Sequence, residues 1–226
     1  PRMDETAAPE AAAAGANRRA LVVDDHALFA EALARVLTTQ GFACQVASLL
    51  DVEGEIHAFR PHLVLLDVNL GGVDGLELVP PAVRAGAKVV IVTGTRDDDR
   101  LAVAAALGAS GWVDKSSALP ELVDVATAVL AGRPLWDAAR HADLVERGRR
   151  ELARQADLRW RFDGLTSREW EVLERLDLGH SVPAIGAELH ISVPTVRSHI
   201  RGILAKLDVP SQLAAVALYN ERRRLG

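Results

Sequence analysis

The feature that most constrains this chain is a regular alternation of short apolar runs with helical stretches, which begins at Ala20. Five runs have the length and the apolar content of buried strands, at residues 20–23, 43–47, 63–66, 89–92 and 111–113. Helical periodicity follows each run in turn, at residues 28–40, 51–59, 75–85, 98–107 and 119–130. Because strands that alternate with helices form parallel sheets covered on both faces, we predict an α/β domain with a five-stranded parallel sheet.

Polar residues of specific types follow several of these runs. Asp24 and Asp25 follow the first run, Asp67 the third, Thr93 the fourth and Lys115 the fifth. The carboxyl ends of parallel strands form one crevice, so we expect these side chains to converge. Carboxylates at one edge repel one another unless a cation is bound, and Mg²⁺ prefers oxygen ligands. An acidic pocket beside a lysine therefore indicates phosphoryl chemistry.

The last third of the chain has helical periodicity alone. Thr166 and Glu169 have the spacing of a capping box at the start of one helix. A short helix at 182–189 is followed by Ser192, which is a natural cap for a third helix at 193–207. Two helices joined by so short a turn predict a helix-turn-helix in an all-α domain.

The third helix divides into an apolar and a basic face. Its apolar residues recur at helical spacing and predict a buried stripe: Val196, Ile200, Ile203, Leu204 and Leu207. Arg197, Ser198 and Arg201 are then placed outward. The balance of charged side chains changes from −6 over residues 1–159 to +1 over 160–226. A basic face on the second helix of the motif suits the major groove of DNA, although a protein-binding module with a basic face is an alternative.

Residues 19–132 resemble the receiver domain of response regulators, which has a flavodoxin-like fold. The matching residues occur in the family's order: Asp24-Asp25, Asp67 within Leu-Leu-Asp-Val-Asn, Gly75, Thr93 and Lys115. The resemblance implies that Asp67 accepts a phosphoryl group from a sensor histidine kinase or a small donor. It also implies that the domain catalyses only its own phosphorylation and dephosphorylation, so the chain is not otherwise an enzyme.

The same resemblance implies a role for each residue around the acceptor. Mg²⁺ would be held by Asp24, Asp25, Asp67 and the backbone carbonyl of Asn69, with Asp24 acting through water. Lys115 would pair with the phosphoryl group, and the Thr93 hydroxyl would swing toward it. Trp112 stands at the position of the family's switch aromatic. The family's usual Met-Pro after the acceptor is replaced by Leu70-Gly71, which should loosen that loop.

Residues 165–219 resemble the DNA-binding domain of the NarL/FixJ, or LuxR-type, regulators. The matching stretches are Leu165 to Glu169, Ile185 to Leu189, Ser192, Thr195-Val196 and Lys206-Leu207. By this resemblance, Arg197, Ser198 and Arg201 would reach base edges. Backbone contacts to DNA would come from Thr195, His199 and Lys206. The family also places a dimer contact on the last helix, here 211–221.

Together these patterns predict four segments: a disordered tail at 1–17, a receiver at 18–132, a helical linker at 133–163 and a DNA-binding domain at 164–226. Phosphorylation of Asp67 would control dimerisation and sequence-specific binding to double-stranded DNA, and thereby transcription. The partners would be a sensor histidine kinase, DNA and, after activation, a second copy of the chain. No apolar run is long enough to span a bilayer, so we expect a cytoplasmic protein without a membrane partner.

Three further alternatives remain open at this point. A phosphatase with an aspartyl nucleophile would commonly carry a second Asp at the position of Asn69, and it would need no helix-turn-helix. A DNA-binding regulator could instead have a phosphorylation-independent receiver that is gated by a ligand or a partner. The linker, finally, has mixed charges that suit a solvated surface helix, but it could also pack against either domain.

Overall fold

The computed structural model describes residues 18–94 and 97–225. For residues 224 and 225 it describes the backbone only. The predicted tail at 1–17 lies outside the described residues. The chain forms two compact units that divide between Glu151 and Leu152. We refer to them as the first unit and the second unit, and each is described by itself.

The first unit is built on a five-stranded, fully parallel sheet, as predicted. Its strands are β1 (Arg18–Val23), β2 (Phe42–Val46), β3 (Leu63–Leu66), β6 (Lys88–Thr93) and β7 (Gly111–Asp114), in the order β2-β1-β3-β6-β7. A separate two-stranded hairpin, β4 (Asn69–Leu70) and β5 (Val73–Asp74), follows β3. The chain switches direction across the sheet at β1 and β3, which places the ligand crevice of such folds outside their carboxyl ends.

Helices cover both faces of this sheet, because successive strand residues point to opposite sides and nearly all of them are apolar. The helices are α1 (Ala27–Thr39), α2 (Val52–Phe59), α3 (Val79–Arg84), α4 (Asp98–Leu107) and α5 (Leu119–Leu130). Helices α1 and α5 share one apolar core with alternate strand residues such as Val22, Leu65 and Val90. The intervening residues Leu21, Val64 and Ile91 are fully buried on the other side.

The structure differs from the sequence prediction in the segment after the acceptor. Gly71 and Gly72 both have positive φ, which a two-residue hairpin turn requires, so the expected loosened loop is a closed hairpin. The single helix predicted at 75–85 is a 3₁₀ turn, Gly75–Leu78, followed by α3. Proline at 80 and 81 explains the break, because neither residue has the N–H group that would continue an α-helix from the preceding turn.

One long helix, α6 (Ala138–Asp163), follows the first unit's sheet. Asp137 caps it by accepting a hydrogen bond from the backbone N–H of Arg140 at 2.9 Å. Within the first unit, Leu144 and Gly148 of this helix are buried. The helix is therefore packed on the first unit along this part of its length, rather than solvated all round.

The second unit contains the end of α6 and four further helices: α7 (Ser167–Asp177), α8 (Val182–Leu189), α9 (Val193–Leu207) and α10 (Gln212–Leu225). The predicted capping box is present, because the Thr166 side chain and the Glu169 side chain each bond the other's backbone N–H. A single apolar core joins all of these helices and includes Leu158 and Phe162 of α6. Among the described residues, no helix has the length and apolarity needed to cross a membrane.

Candidate functional site

Lys115 and two buried carboxylates form the centre of a pocket at the carboxyl ends of the strands. Asp24 follows β1, Asp67 follows β3, and Lys115 follows β7. The Lys115 Nζ donates to Asp24 Oδ1 at 2.7 Å and to Asp67 Oδ2 at 2.8 Å. Asp24 and Asp67 are only 5% and 4% exposed, so their negative charges depend on this lysine.

The lysine stays charged in this position. Burial of Lys115 opposes its charge, but the hydrogen bonds and the charges of Asp24 and Asp67 outweigh burial and raise the pKa of Lys115 above its ordinary value. A permanent cation between two carboxylates reduces their mutual repulsion. It also places a positive charge beside Asp67, where a transferred phosphoryl group would carry negative charge.

A third carboxylate and an imidazole complete the pocket. Asp25 is more exposed than Asp24, and its Oδ1 lies 2.7 Å from the Nδ1 of His26. Potential ligand atoms of Asp24, Asp25, His26 and Asp67 all lie within 4.8 Å of one another. We did not predict His26 from the sequence, although its position directly after the acidic pair was a usable signal.

The remaining predicted residues of the first unit lie at different distances from this centre. Asn69 donates its backbone N–H to Asp67 Oδ1 at 3.1 Å, which places Asn69 beside the carboxylate. Thr93 is 2% exposed at the end of β6, and its carbonyl accepts from the Lys115 backbone N–H at 3.1 Å. Trp112 is half-buried within β7, where it pairs with Ile91 of β6. Of these three residues, Trp112 lies farthest from the pocket along its strand.

Gly75 has a steric role beside the predicted acceptor. A Cβ atom at this position would lie 2.2 Å from the carbonyl oxygen of Asp67, and the Gly75 N–H donates to the Val68 carbonyl at 2.9 Å. Any side chain here would therefore displace the segment that carries the carboxylate.

We expect Gly75→Ala to lower the free energy of unfolding by about 1–3 kcal/mol, the usual cost of forcing a methyl group into packed structure. Chemical denaturation of the two proteins measures this difference. Gly94→Ala is the matched control, because a Cβ atom on Gly94 would meet nothing within 4 Å. Equal stability of Gly75→Ala and the parent protein would contradict the steric role.

In the second unit, α9 has the two faces that the sequence predicts. Its buried residues are Val196, Ile200, Ile203 and Leu207. Arg197, Ser198 and Arg201 are exposed, as expected for a helix that offers a basic surface. Thr195 is also exposed, but its N–H bonds the Ser192 hydroxyl at 3.2 Å as part of the helix cap. His199 is half-buried beside them.

Lys206 differs from the other basic residues of α9, because its side chain already has an intramolecular partner. Its Nζ lies 2.6 Å from Oε2 of Glu169, a residue that is 6% exposed at the start of α7. Gly202 leaves the space for this carboxylate, since a Cβ atom there would lie 2.5 Å from Glu169 Oε1. Burial opposes the charge of Glu169, but bonds from Lys206 and Thr166 outweigh it and lower the pKa of Glu169.

We expect Glu169→Gln to lower the free energy of unfolding by roughly 1–3 kcal/mol near pH 7, because the charge-assisted hydrogen bond from the exposed Lys206 ammonium to the buried Glu169 carboxylate is lost. The pKa of Glu169 is depressed in the folded state, so its contribution is complete above the ordinary value of 4.5 and is lost as the pH falls through the folded value. The difference between parent and variant should therefore shrink as the pH falls below 4.5 in denaturation measured across pH. A constant difference would contradict the ionised pair.

Both units are similar to domains of known proteins. A family model for the "Response regulator receiver domain" matches residues 20–127, and a model for "Bacterial regulatory proteins, luxR family" matches residues 163–219. The probable transcriptional regulatory protein NarL of Mycobacterium tuberculosis is 32% identical over 213 residues, covering 92% of this chain and 95% of that protein. The transcriptional regulatory protein LiaR of Bacillus subtilis is 29% identical over 212 residues, covering 92% and 98%.

Among solved structures, a LuxR-family two-component response regulator from Aurantimonas sp. SI85-9A1 is 29% identical, with a TM-score of 0.48 over 58% of this chain and 96% of that one. The first unit has the fold of a receiver domain, a class that binds Mg²⁺ at an acidic pocket, and the second unit is a helix-turn-helix DNA-binding domain. The chain belongs to the NarL/FixJ family of LuxR-type response regulators. It is therefore a two-component response regulator that controls transcription, and its family is not one of classical enzymes.

Proposed function

We propose that Asp67 is the phosphoacceptor and that its phosphorylation by a sensor histidine kinase controls DNA binding. The bond from Lys115 to both Asp24 and Asp67 carries this proposal, because it places a fixed cation beside a buried nucleophilic carboxylate. An Asp67 oxygen would attack the phosphorus of the donor's phosphohistidine. The new O–P bond would form as the P–N bond breaks, and the electron pair would leave with the imidazole nitrogen.

The donor atoms of the pocket fit a magnesium ion. Three carboxylates supply oxygen ligands within 4.8 Å of one another, and oxygen is the ligand that Mg²⁺ prefers. Asp25, Asp67 and the carbonyl of Asn69 would hold the ion, with Asp24 supporting it. A bound Mg²⁺ would neutralise charge on the phosphoryl oxygens. His26 is left out of this set, because its nitrogen is a poorer ligand for Mg²⁺ than for transition metals.

In the second unit, we propose that the exposed face of α9 reads double-stranded DNA. Arg197, Ser198 and Arg201 are the candidates for base contacts, since their side chains are exposed opposite the buried stripe. The candidates for phosphate contacts are Thr195, His199 and Lys206. For Lys206 this role would compete with its bond to Glu169, so it is the weakest of the six candidates.

The activated protein is proposed to act as a homodimer, so that two copies of α9 read two half-sites. The dimer contact implied by the family falls on α10, where Leu213 is an apolar side chain that is 81% exposed. Thr93 and Trp112 would carry the change from the pocket to the receiver surface. The receiver would span 18–132, the linker 133–163 and the DNA-binding domain 164–226, and the protein would act in the cytoplasm with its DNA.

Incubation of the full chain with acetyl phosphate and Mg²⁺ tests the proposal. Intact-mass measurement should show the gain of one phosphoryl group, and peptide mapping should place it on Asp67. Size-exclusion chromatography should show a shift from monomer toward dimer at the same time. Tight, specific DNA binding without any phosphoryl uptake would contradict the proposal and favour a receiver gated by a ligand or partner.

A further inference from the structure

Helix α4 is buried on the side that would face solvent in an isolated receiver. Five consecutive residues, Leu101–Ala105, are all buried, whereas a helix on a domain surface shows an apolar stripe and an exposed face. The covering element is the first half of α6, whose Leu144 packs in one cluster with Ala102 and Ala105. The alanine-rich sequence of α4 provides a shallow surface on which another helix can approach closely.

Gly148 of α6 makes the closest approach to α4. A Cβ atom on Gly148 would lie 2.0 Å from the carbonyl oxygen of Ala102 and 2.8 Å from the Cβ of Ala106. The two backbones are therefore nearer than any side chain at 148 allows. Val145 of α6 also packs in this cluster. We call the contact of Leu144, Val145 and Gly148 with α4 the seat of the linker.

The other connection of α4 is to the loop of the acceptor. Arg100, in the first turn of α4, donates one Nη2 group to the Val68 carbonyl at 3.2 Å and to Asp74 Oδ1 at 2.7 Å. Val68 directly follows Asp67, and Asp74 lies in the last strand of the hairpin that begins at Asn69. Arg100 therefore holds both ends of the segment 68–74, which directly follows the acceptor and contains the proposed metal ligand Asn69.

We propose that Arg100 is a positioning residue that couples the state of Asp67 to the seat of the linker on α4. This inference rests on the proposed phosphorylation of Asp67. In the resting protein, Arg100 holds α4 against the acceptor loop, and α4 in that position holds Leu144 and Gly148. Phosphorylation moves the loop around Asp67, changes the bonds to Val68 and Asp74, and loosens the linker seat through α4.

Coupling of this kind is reciprocal, because the same free energy links the phosphorylation of Asp67 to the docking of the linker on α4. If phosphorylation loosens the seat, then a linker that cannot dock should favour the phosphorylated state of the pocket. Gly148→Leu blocks docking sterically, at a position remote in sequence from every residue of the pocket. We expect this variant to hold the phosphoryl mimic beryllofluoride with Mg²⁺ about fivefold or more tightly than the parent chain.

The direct test is amide hydrogen exchange over residues 138–151 of the full chain, with and without acetyl phosphate and Mg²⁺. In the parent protein, exchange there should rise about fivefold or more when the pocket is phosphorylated. In Arg100→Met and in Asp74→Asn, compared at equal phosphoryl occupancy by intact mass, the rise should disappear. Arg35→Met, which removes an exposed arginine from α1, is the matched control and should keep the full response.

The outcomes separate this inference from the proposed function. Phosphoryl uptake on Asp67 with no change of exchange in the parent chain overturns the coupling and leaves the proposed function intact. A full response in Arg100→Met also overturns it. If Arg100→Met and Asp74→Asn both lose uptake, Arg100 serves phosphoryl acceptance itself and the coupling role is wrong. If the parent chain takes up no phosphoryl group, the proposed function fails and this inference fails with it.

Discussion

Replacing Asp67 by asparagine should reduce phosphoryl uptake from acetyl phosphate to the background of the assay. The amide has nearly the shape of the carboxylate but lacks its negative charge and nucleophilic oxygen. The buried environment of Asp67 offers no second acceptor with the same contacts, because Asp24 is 5% exposed behind the same lysine and Asp25 faces His26. Intact-mass measurement after a fixed incubation gives the result directly.

The variant should remain folded, which makes the loss of uptake interpretable. Lys115 keeps its 2.6 Å contact to Asp24, and an amide oxygen at 67 can still accept from the lysine and from the Asn69 N–H. Circular dichroism and the denaturation midpoint should stay close to those of the parent. Asp124→Asn, a change at an exposed position of α5, is the control and should leave uptake unaltered. Normal uptake in Asp67→Asn would remove this residue from the acceptor role.

The parts of the first unit that the sequence predicts well are those with strong local signals. Apolar runs such as Leu63–Leu66 have no polar interruption, and this pattern is typical of strands buried on both faces. The sequence predicts that Asp24, Asp67 and Lys115 converge, because parallel strands place their carboxyl ends at one edge of the sheet. The structure adds the distances of 2.6–2.8 Å between Lys115 and the two carboxylates, which no sequence periodicity contains.

The features that the sequence did not predict depend on contacts between distant segments. Glu169 is recognisable as part of a capping box, but nothing local indicates that Lys206 bonds it from α9. The seat of the linker depends on Gly148 meeting a carbonyl of α4, and a glycine in a charged helix gives no periodic signal. Arg100 is likewise defined only by the fold, since its partners lie 26 and 32 residues earlier.

The Lys206 contact changes how the DNA-binding face should be tested. A residue that is already bonded to Glu169 affects both stability and charge when it is replaced, so weaker DNA binding by a Lys206 variant has two explanations. Arg201 is free of this ambiguity in its placement, because it is exposed beside the buried Ile200 and points away from the core. Substitution of Arg201 is therefore the clearest test of whether α9 reads the base sequence of DNA.

We expect Arg201→Ala to raise the Kd for a specific duplex about 5- to 150-fold, the loss of roughly 1–3 kcal/mol that accompanies removal of a bidentate base contact. The duplex would be one selected by the phosphorylated parent protein from a random pool, and fluorescence anisotropy at fixed salt would give the Kd. Binding to an unrelated duplex should change much less. The ratio of the two affinities should therefore fall.

A fall in the ratio separates base reading from simple attraction to the phosphate backbone. Loss of a phosphate contact weakens binding to both duplexes about equally. It also lowers the slope of the logarithm of affinity against the logarithm of salt concentration by about one. Arg159→Ala, which removes an exposed arginine of α6 in the second unit, is the control for net charge and should leave the ratio unchanged. If Arg201→Ala also weakens both duplexes equally, Arg201 belongs with the phosphate contacts. Sequence reading would then have to come from Arg197 and Ser198, the other two exposed candidates for base contacts.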